Sequence, residues 1–296
     1  MPVNTSHQKN SSWVGMLYVA LSAVAFGAMA IFIKIAYASG AETMAVLALR
    51  FSLAAVLMST VMLGRGLRWP RGRNLLVLIG MGGLGYVGQS FCFFSSLNHA
   101  SAGLAALLLY LYPVLVTLLG GAFFRQPLSR LQLGAVLTAL VGTALTIGGD
   151  TSGTPLGITL GIAAALIYAV YILVGSKMLQ SEAPLPAATV VMLSAGTVFT
   201  AMALIDQPDL PGSTSGWLAI AAIAVISTVI AMVTFFAGLA RISAANAATI
   251  STLEPLVTVL LAAIFLAEPL GPAKLAGGSL ILLALTVLAR ASQRKP

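Results

Sequence analysis

Ten apolar runs of about 20 residues follow one another along this 296-residue chain. They lie at 13–37, 43–63, 74–97, 101–123, 130–148, 156–179, 186–204, 215–239, 243–266 and 271–290. A helix of that length crosses the hydrocarbon layer of a bilayer, so runs without a polar stripe predict an all-α integral membrane protein of ten transmembrane helices. The breaks carry Gly, Pro, Ser, Asp or Arg, and their shortness makes successive helices antiparallel. Ten spans occupy roughly 210 positions, leaving about 8 residues per loop or tail, too few for an appended soluble domain. The chain 1–296 therefore reads as a single transmembrane domain. Its first run is too long for a signal peptide, holds Lys34 and leads into further spans, and so reads as retained.

Hydrophobic residues make up 59% of the chain and charged residues 7%, against about 25% in an ordinary soluble domain. With two histidines, His7 and His99, and one cysteine, Cys92, all far apart, no metal site of the usual kind and no intrachain disulfide is expected, nor any cofactor. The net charge of +8 invites a nucleic-acid reading until the cations are located. Alternating the breaks between two sides puts Lys9, Arg65, Arg68, Arg71, Arg73, Arg125, Arg130, Lys177, Arg241, Arg290, Arg294 and Lys295 on one side and only Lys274 on the other. The positive-inside rule makes that side cytoplasmic and both termini with it. The charge is thus topology, and the bilayer, not nucleic acid, is the expected partner. The acidic residues agree loosely: Glu42, Asp150, Asp206, Asp209 and Glu268 fall outside, Glu182 inside.

Shifted by 142 residues, the chain matches itself. Phe93-Phe94 falls on Phe235-Phe236, Ser101-Ala102 on Ser243-Ala244, Pro113 on Pro255, Phe123 on Phe265, and Pro127-Leu128 on Pro269-Leu270, with 14 of 36 positions identical from 93 to 128. The same shift carries Gly15 onto Gly157 and Phe26 onto Tyr168. Apolar composition gives chance Leu and Ala matches, but not two prolines and three phenylalanines at one offset. Two five-span repeats, about 13–148 and 155–290, follow, and an odd span count makes the second enter the membrane from the opposite side. Inverted repeats can build one gate on each face and exchange them, which is transporter architecture; a duplication that only builds a stable bundle is the alternative.

Several local patterns stand out: the opening span with its late lysine, Phe26 to Lys34; Leu49-Arg50-Phe51; Leu111-Tyr112-Pro113; Leu253-Glu254-Pro255; and the loop starts Gln126-Pro127-Leu128 and Glu268-Pro269-Leu270. On these residues the chain resembles the drug/metabolite transporter superfamily, specifically the EamA-type ten-helix exporters. Overall it is most similar to bacterial inner-membrane exporters of aromatic and other amino acids. The resemblance covers essentially the whole chain and implies two EamA-like repeats, a central cavity and secondary transport without ATP. The second half lacks a Leu-Arg-Phe counterpart, and Tyr112 stands where the second half has Glu254, so the halves are not functionally equivalent.

A charge at mid-membrane costs at least about 2.5–3.5 kcal/mol, so Lys34, Arg50 and Glu254 each need a reason. Lys34 and Arg50 lie near the outer ends of their spans, where they can snorkel, and Arg50 can meet Glu42 across the outer turn. Glu254 is too deep for that. Either it contacts a substrate amine or takes up protons, or it hydrogen-bonds a helix loosened by Pro255, whose missing N–H would free the Ser251 carbonyl. Pro113 would do the same to the Leu109 carbonyl, so the two prolines read as kinks or hinges at matched depths.

Tyr86, Gln89, Ser90 and Phe93 share one helical face; Thr228, Ala231, Met232 and Phe235 occupy the matching face of the eighth span. Phe26 and Met29 in the first span match Tyr168 and Tyr171 in the sixth. One such stripe is ordinary packing, whereas four related stripes with hydroxyls and an amide point to a cavity. The candidate lining is Phe26, Met29, Tyr86, Gln89, Ser90, Tyr168, Tyr171, Thr228, Ser251 and Glu254. The glycines 80, 82, 83, 85 and 88 would let another helix approach closely, and without a strand or a Walker lysine they make no phosphate loop.

One buried carboxylate without a nucleophile–base pair or metal ligands does not equip a membrane enzyme. Phosphorylated substrates would call for several cations around the site. The expected substrate is therefore a neutral or zwitterionic small metabolite, an amino acid with an apolar or aromatic side chain above all, with protons as a candidate coupling ion. Export of other drug-like metabolites, a channel and a structural membrane protein are the alternatives.

Overall fold

The computed structural model describes residues 5–97, 99–100, 102–124, 130–147, 153–266 and 270–293. Among these the chain is helical almost throughout and forms no strand, only one isolated bridge between Ala100 and Gly153. Ser101, Arg125, Gln126-Pro127-Leu128, Asp150, Glu268-Pro269, Arg294 and Lys295 lie outside the described residues, as do the side chains of Lys9, Phe94, Phe123 and Arg290.

The first half consists of α1 (Thr5–Gly27), α2 (Met29–Ala38), α3 (Thr43–Gly64), α4 (Gly72–Gly80), a π-helical turn at Met81–Tyr86, α5 (Val87–Leu97), α6 (Ala102–Leu109), α7 (Tyr112–Phe124) and α8 (Arg130–Ile147). The second consists of α9 (Pro155–Met178), α10 (Pro184–Asp206), α11 (Thr214–Ala224), a π-helical turn at Val225–Ile230, α12 (Ala231–Leu239), α13 (Ala244–Ile250), α14 (Leu253–Leu266) and α15 (Pro272–Gln293). Eight helical stretches among the described residues are long and apolar enough to span a bilayer. α8 and α15 carry shorter apolar stretches, Arg130–Leu145 and Pro272–Val287, and pack along each other to complete ten. The first helix begins at Thr5, inside the segment expected to be a tail, because nothing in its polar start breaks a helix.

Lipid tails are as apolar as leucine, so helices associate in a membrane by close packing of small residues. The interior accordingly holds Ala23, Ala54, Ala165, Ala169, Ala187 and Ala195, while Leu17, Val56, Leu76, Ile205, Leu218 and Ile264 face outward. The packing has two-fold symmetry. α1 lies on α12 as α9 lies on α5; α1 meets α14 as α9 meets α7; α3 packs on α10, α8 on α15 and α7 on α13. Gly15 and Gly157 show this at atomic scale. A Cβ on Gly15 would meet Arg241 and Ile242, and one on Gly157 would meet His99 and Ala100, the same positions one repeat apart.

Among the described residues five discontinuities interrupt these spans. The first is a tightened turn at Ala28, where Ile31 N–H donates to the Ala28 carbonyl at 3.2 Å. The next two separate α6 from α7 and α13 from α14. Leu111 N–H turns back to Leu108 O at 3.1 Å and Thr252 N–H to Thr249 O at 3.1 Å, after which each helix restarts. Pro113 and Pro255 therefore sit in the first turn of a new helix, where a missing N–H costs nothing. They mark breaks between half-helices, which corrects the expectation of kinks within continuous ones. The Ser251 carbonyl, expected to be free, accepts from Glu254 N–H at 3.0 Å. The last two discontinuities are the π turns, at equivalent places of the two halves and two residues out of register. The glycines around 80–88, read from the sequence only as a close-approach surface, thus also build a change of helical register.

Candidate functional site

Arg50 lies two turns into α3 and is buried, with 5% of its surface exposed. Its Nη1 donates to Met29 Sδ at 3.1 Å, its Nη2 reaches the Tyr86 hydroxyl at 3.5 Å, and the guanidinium lies 4.5 Å from the centre of the Phe51 ring. Nε has no hydrogen-bond partner. A long side chain near a helix end can snorkel, and the expectation for Arg50 rested on that; the structure turns it inward between the first and third spans instead. It does not rest on Glu42, which is exposed at the head of α3 with its backbone N–H on the Asp209 carbonyl at 3.0 Å. Lys34 is exposed on α2, as expected.

From Arg50 a run of aromatic rings leads into the bundle. Phe51 meets Tyr86 edge-on at 5.1 Å, Tyr86 meets Tyr171 at 5.7 Å, Tyr171 stacks on Tyr168 at 6.0 Å, Tyr168 meets Tyr112 at 4.7 Å, and Tyr112 lies 6.3 Å from Tyr110. These rings come from α3, the first π turn, α9 and the two sides of the α6–α7 break, so five chain segments must be in place to form the row. At its far end Tyr110 hydrogen-bonds the Glu254 carboxylate, and Tyr112 hydrogen-bonds Ser251. Glu254 sits in the first turn of α14, where the helix dipole and unsatisfied N–H groups favour a carboxylate. Arg50 is within electrostatic reach of it.

The first span closes one side. A Cβ on Gly27 would lie 2.9 Å from the Glu254 carbonyl oxygen and from Val257 Cβ, so only glycine lets α1 approach α14 so closely. Thr258 fixes the contact, donating to the Gly27 carbonyl at 3.0 Å. The turn at Ala28, the break before Pro255 and the break before Pro113 thereby converge on one region, and three sets of helix ends face each other there.

The ten lining candidates divide into two groups. Phe26, Met29, Tyr86, Gln89, Tyr168 and Glu254 remain half-buried, whereas Ser90, Tyr171, Thr228 and Ser251 are closed off. The Thr228 hydroxyl donates to the Ile223 carbonyl, five residues earlier, at 2.9 Å. Tyr171 points its hydroxyl at Met232 Sδ, 3.8 Å away, and Ser251 donates to the Ala247 carbonyl at 3.0 Å. Gln89 accepts from Ser90 at 3.4 Å. The stripe on the eighth span is packed, with Ala231, Met232 and Phe235 all buried, while its counterpart on the third is partly open. Arg50, Tyr110 and Tyr112 were not among the candidates. The available signal was the pair of tyrosines flanking a break that also carries a proline.

A ten-span helical bundle of inverted halves, with polar groups gathered between broken helices, defines a polytopic membrane protein. The model of the EamA-like transporter family matches residues 13–148 and again 155–290, and the chain belongs to that family, within the drug/metabolite transporter superfamily. Among curated proteins it is 39% identical over 87 residues to the uncharacterized transporter YxxF of Bacillus subtilis, covering 28% of each chain. It is 30% identical over 129 residues to the uncharacterized transporter sll1319 of Synechocystis, covering 42% of this chain and 39% of that one. It is 31% identical over 177 residues to the uncharacterized transporter YcbK of Bacillus subtilis, covering 56% and 55%. The matches thus span between about a quarter and just over half of these relatives' lengths. A solved crystal structure superposes with a TM-score of 0.81 over 96% of this chain and 98% of its own, at 22% identity, which establishes a shared fold.

Proposed function

We propose that this protein is a secondary transporter of a bacterial inner membrane that exports small neutral or zwitterionic metabolites, amino acids including aromatic ones, by alternating access. The observation that carries this reading is the row of tyrosines between Arg50 and Glu254, enclosed by spans of both halves. Aromatic walls with a few placed polar groups suit a substrate that is apolar at one end and charged at the other. Half-helix ends at such a centre supply partial charges and can move relative to one another. Exchange between the two halves would open the site to each face in turn. Protons are the coupling ion we favour, exchanged at Glu254. The placement of the termini in the cytoplasm rests on the distribution of loop cations.

Purified protein in liposomes, assayed with a panel of labelled amino acids and an imposed proton gradient, tests the reading. Uptake of at least one aromatic amino acid, stimulated by the gradient, is expected. No movement of any amino acid would refute the substrate class, and movement indifferent to the gradient would refute proton coupling.

A further inference from the structure

A buried guanidinium without an anionic partner is costly unless something else supplies one. Among the described residues Arg50 is in this position. Its two acceptors are a thioether and a phenol, both weak for a cation, and its Nε has none. The Phe51 ring below it adds a cation–π contact, which holds the plane of the group without consuming its donors. Glu254, within electrostatic reach, forms no ion pair with Arg50 among the described residues and is hydrogen-bonded by Tyr110 instead, in the first turn of α14. The two opposite charges therefore flank the same row of rings without closing on each other.

We propose that these two charges form a two-pole clamp: the Arg50 guanidinium receives the carboxylate of the substrate, and Glu254, oriented by Tyr110, receives its ammonium. The clamp rests on the transporter reading above and narrows it to substrates that carry both groups, as an α-amino acid does. Arg50 offers Nε together with an adjacent Nη in the planar fork that matches a carboxylate's two oxygens, which lysine does not. On that edge the Nη2 contact with the Tyr86 hydroxyl is long, 3.5 Å, and is displaced cheaply when a carboxylate arrives. Tyr86 and Tyr168, half-buried and adjacent in the ring row through Tyr171, then flank the side chain of the bound molecule. A site that desolvates both poles rejects a ligand lacking either, because one buried charge is then left unpaired.

The test uses the full-length protein in liposomes, with labelled phenylalanine as the transported probe. Its unlabelled competitors are phenylalanine, phenylalanine methyl ester, which lacks the carboxylate, and 3-phenylpropionate, which lacks the ammonium. Phenylalanine is expected to compete, and each single-pole analogue to compete about tenfold or more weakly. Arg50→Gln should slow phenylalanine transport by about tenfold or more, with Arg50→Lys in between, provided gel filtration shows folded protein. Analogues that compete as well as phenylalanine, or a folded Arg50→Gln protein at the parental rate, would overturn the clamp while leaving transport intact. If Arg50→Gln does not fold, the competition series on the parent protein decides. A parent protein that moves no amino acid of any kind fails the underlying transport reading instead, and the clamp falls with it.

Discussion

The Thr258 hydroxyl donates to the carbonyl of Gly27, 231 residues earlier in the chain, at 3.0 Å, while also reaching the Glu254 carbonyl at 3.0 Å. One side chain thus ties the end of α1 to the first turn of α14. The carbonyl of Gly27 lies where the first span changes direction, and that of Glu254 belongs to the residue whose carboxylate faces Tyr110. The link between α1 and α14 thus lies in the same helical turn as this carboxylate.

The first prediction concerns that contact. Gly27→Ala places a methyl group 2.9 Å from the Glu254 carbonyl oxygen, closer than unstrained packing allows. Overpacking of this kind costs about 1–3 kcal/mol. The variant should melt several degrees below the parent in detergent and transport more slowly. Gly64→Ala, where a Cβ meets nothing within 4 Å, is the control and should melt with the parent. Equal melting of Gly27→Ala and the parent would show that α1 and α14 are not tightly apposed.

Removing Thr228 and removing Tyr168 should have different consequences. Thr228→Val removes the hydroxyl from which the Ile223 carbonyl accepts and should destabilise the protein by about 0.5–1.5 kcal/mol, with the KM of the folded fraction unchanged. Tyr168→Ala and Gln89→Ala, at half-buried positions, should instead raise KM or lower transport in folded protein. Normal transport by both of these variants would place the substrate elsewhere.

Glu254→Gln preserves size and the hydrogen bond to Tyr110 but removes the charge. Transport should fall by about tenfold or more, or lose its dependence on pH. Rates equal to the parent at every pH would reduce Glu254 to a cap on α14.

Pro113→Ala and Pro255→Ala restore an N–H in the first turn of α7 and α14. Each lets the half-helices grow toward one another across the break. The expected result is a lower turnover number with nearly unchanged substrate affinity, read from initial rates across a concentration series. Parental turnover in both variants would end the hinge reading.

Topology can be checked without transport. A cysteine introduced at Ser213 should react with an impermeant maleimide added outside the cell, and one at Arg71 should not. Both residues lie in breaks between helices. The reverse pattern would invert the orientation deduced from the loop cations.

The ten-span plan and the repeat were legible because both are written in patterns local to the chain. Hydropathy marks each span, and Pro113 and Pro255 align the halves at one offset. Arg50 was misread because its position, two turns from a helix end, permits two conformations, and only Met29, Tyr86 and Phe51 decide between them. Those neighbours are tertiary facts. The half-helix breaks were half-visible: proline announced an interruption but not whether the helix bends or restarts. The π turns left no trace that hydropathy could detect, since an extra residue in a turn changes direction without changing composition.

The π turn at Met81–Tyr86 lies on the approach to the site. One residue added to an α-helix rotates all that follows by about 100°. Gln89 and Phe93 therefore owe their bearing to the number of residues in the glycine-rich turn as well as to their own identities. Sequence drift within the turn is compatible with the site as long as its length is kept. Deleting a single glycine from it would restore a regular helix and swing Gln89 and Phe93 away from their present neighbours, although not one lining residue had been altered.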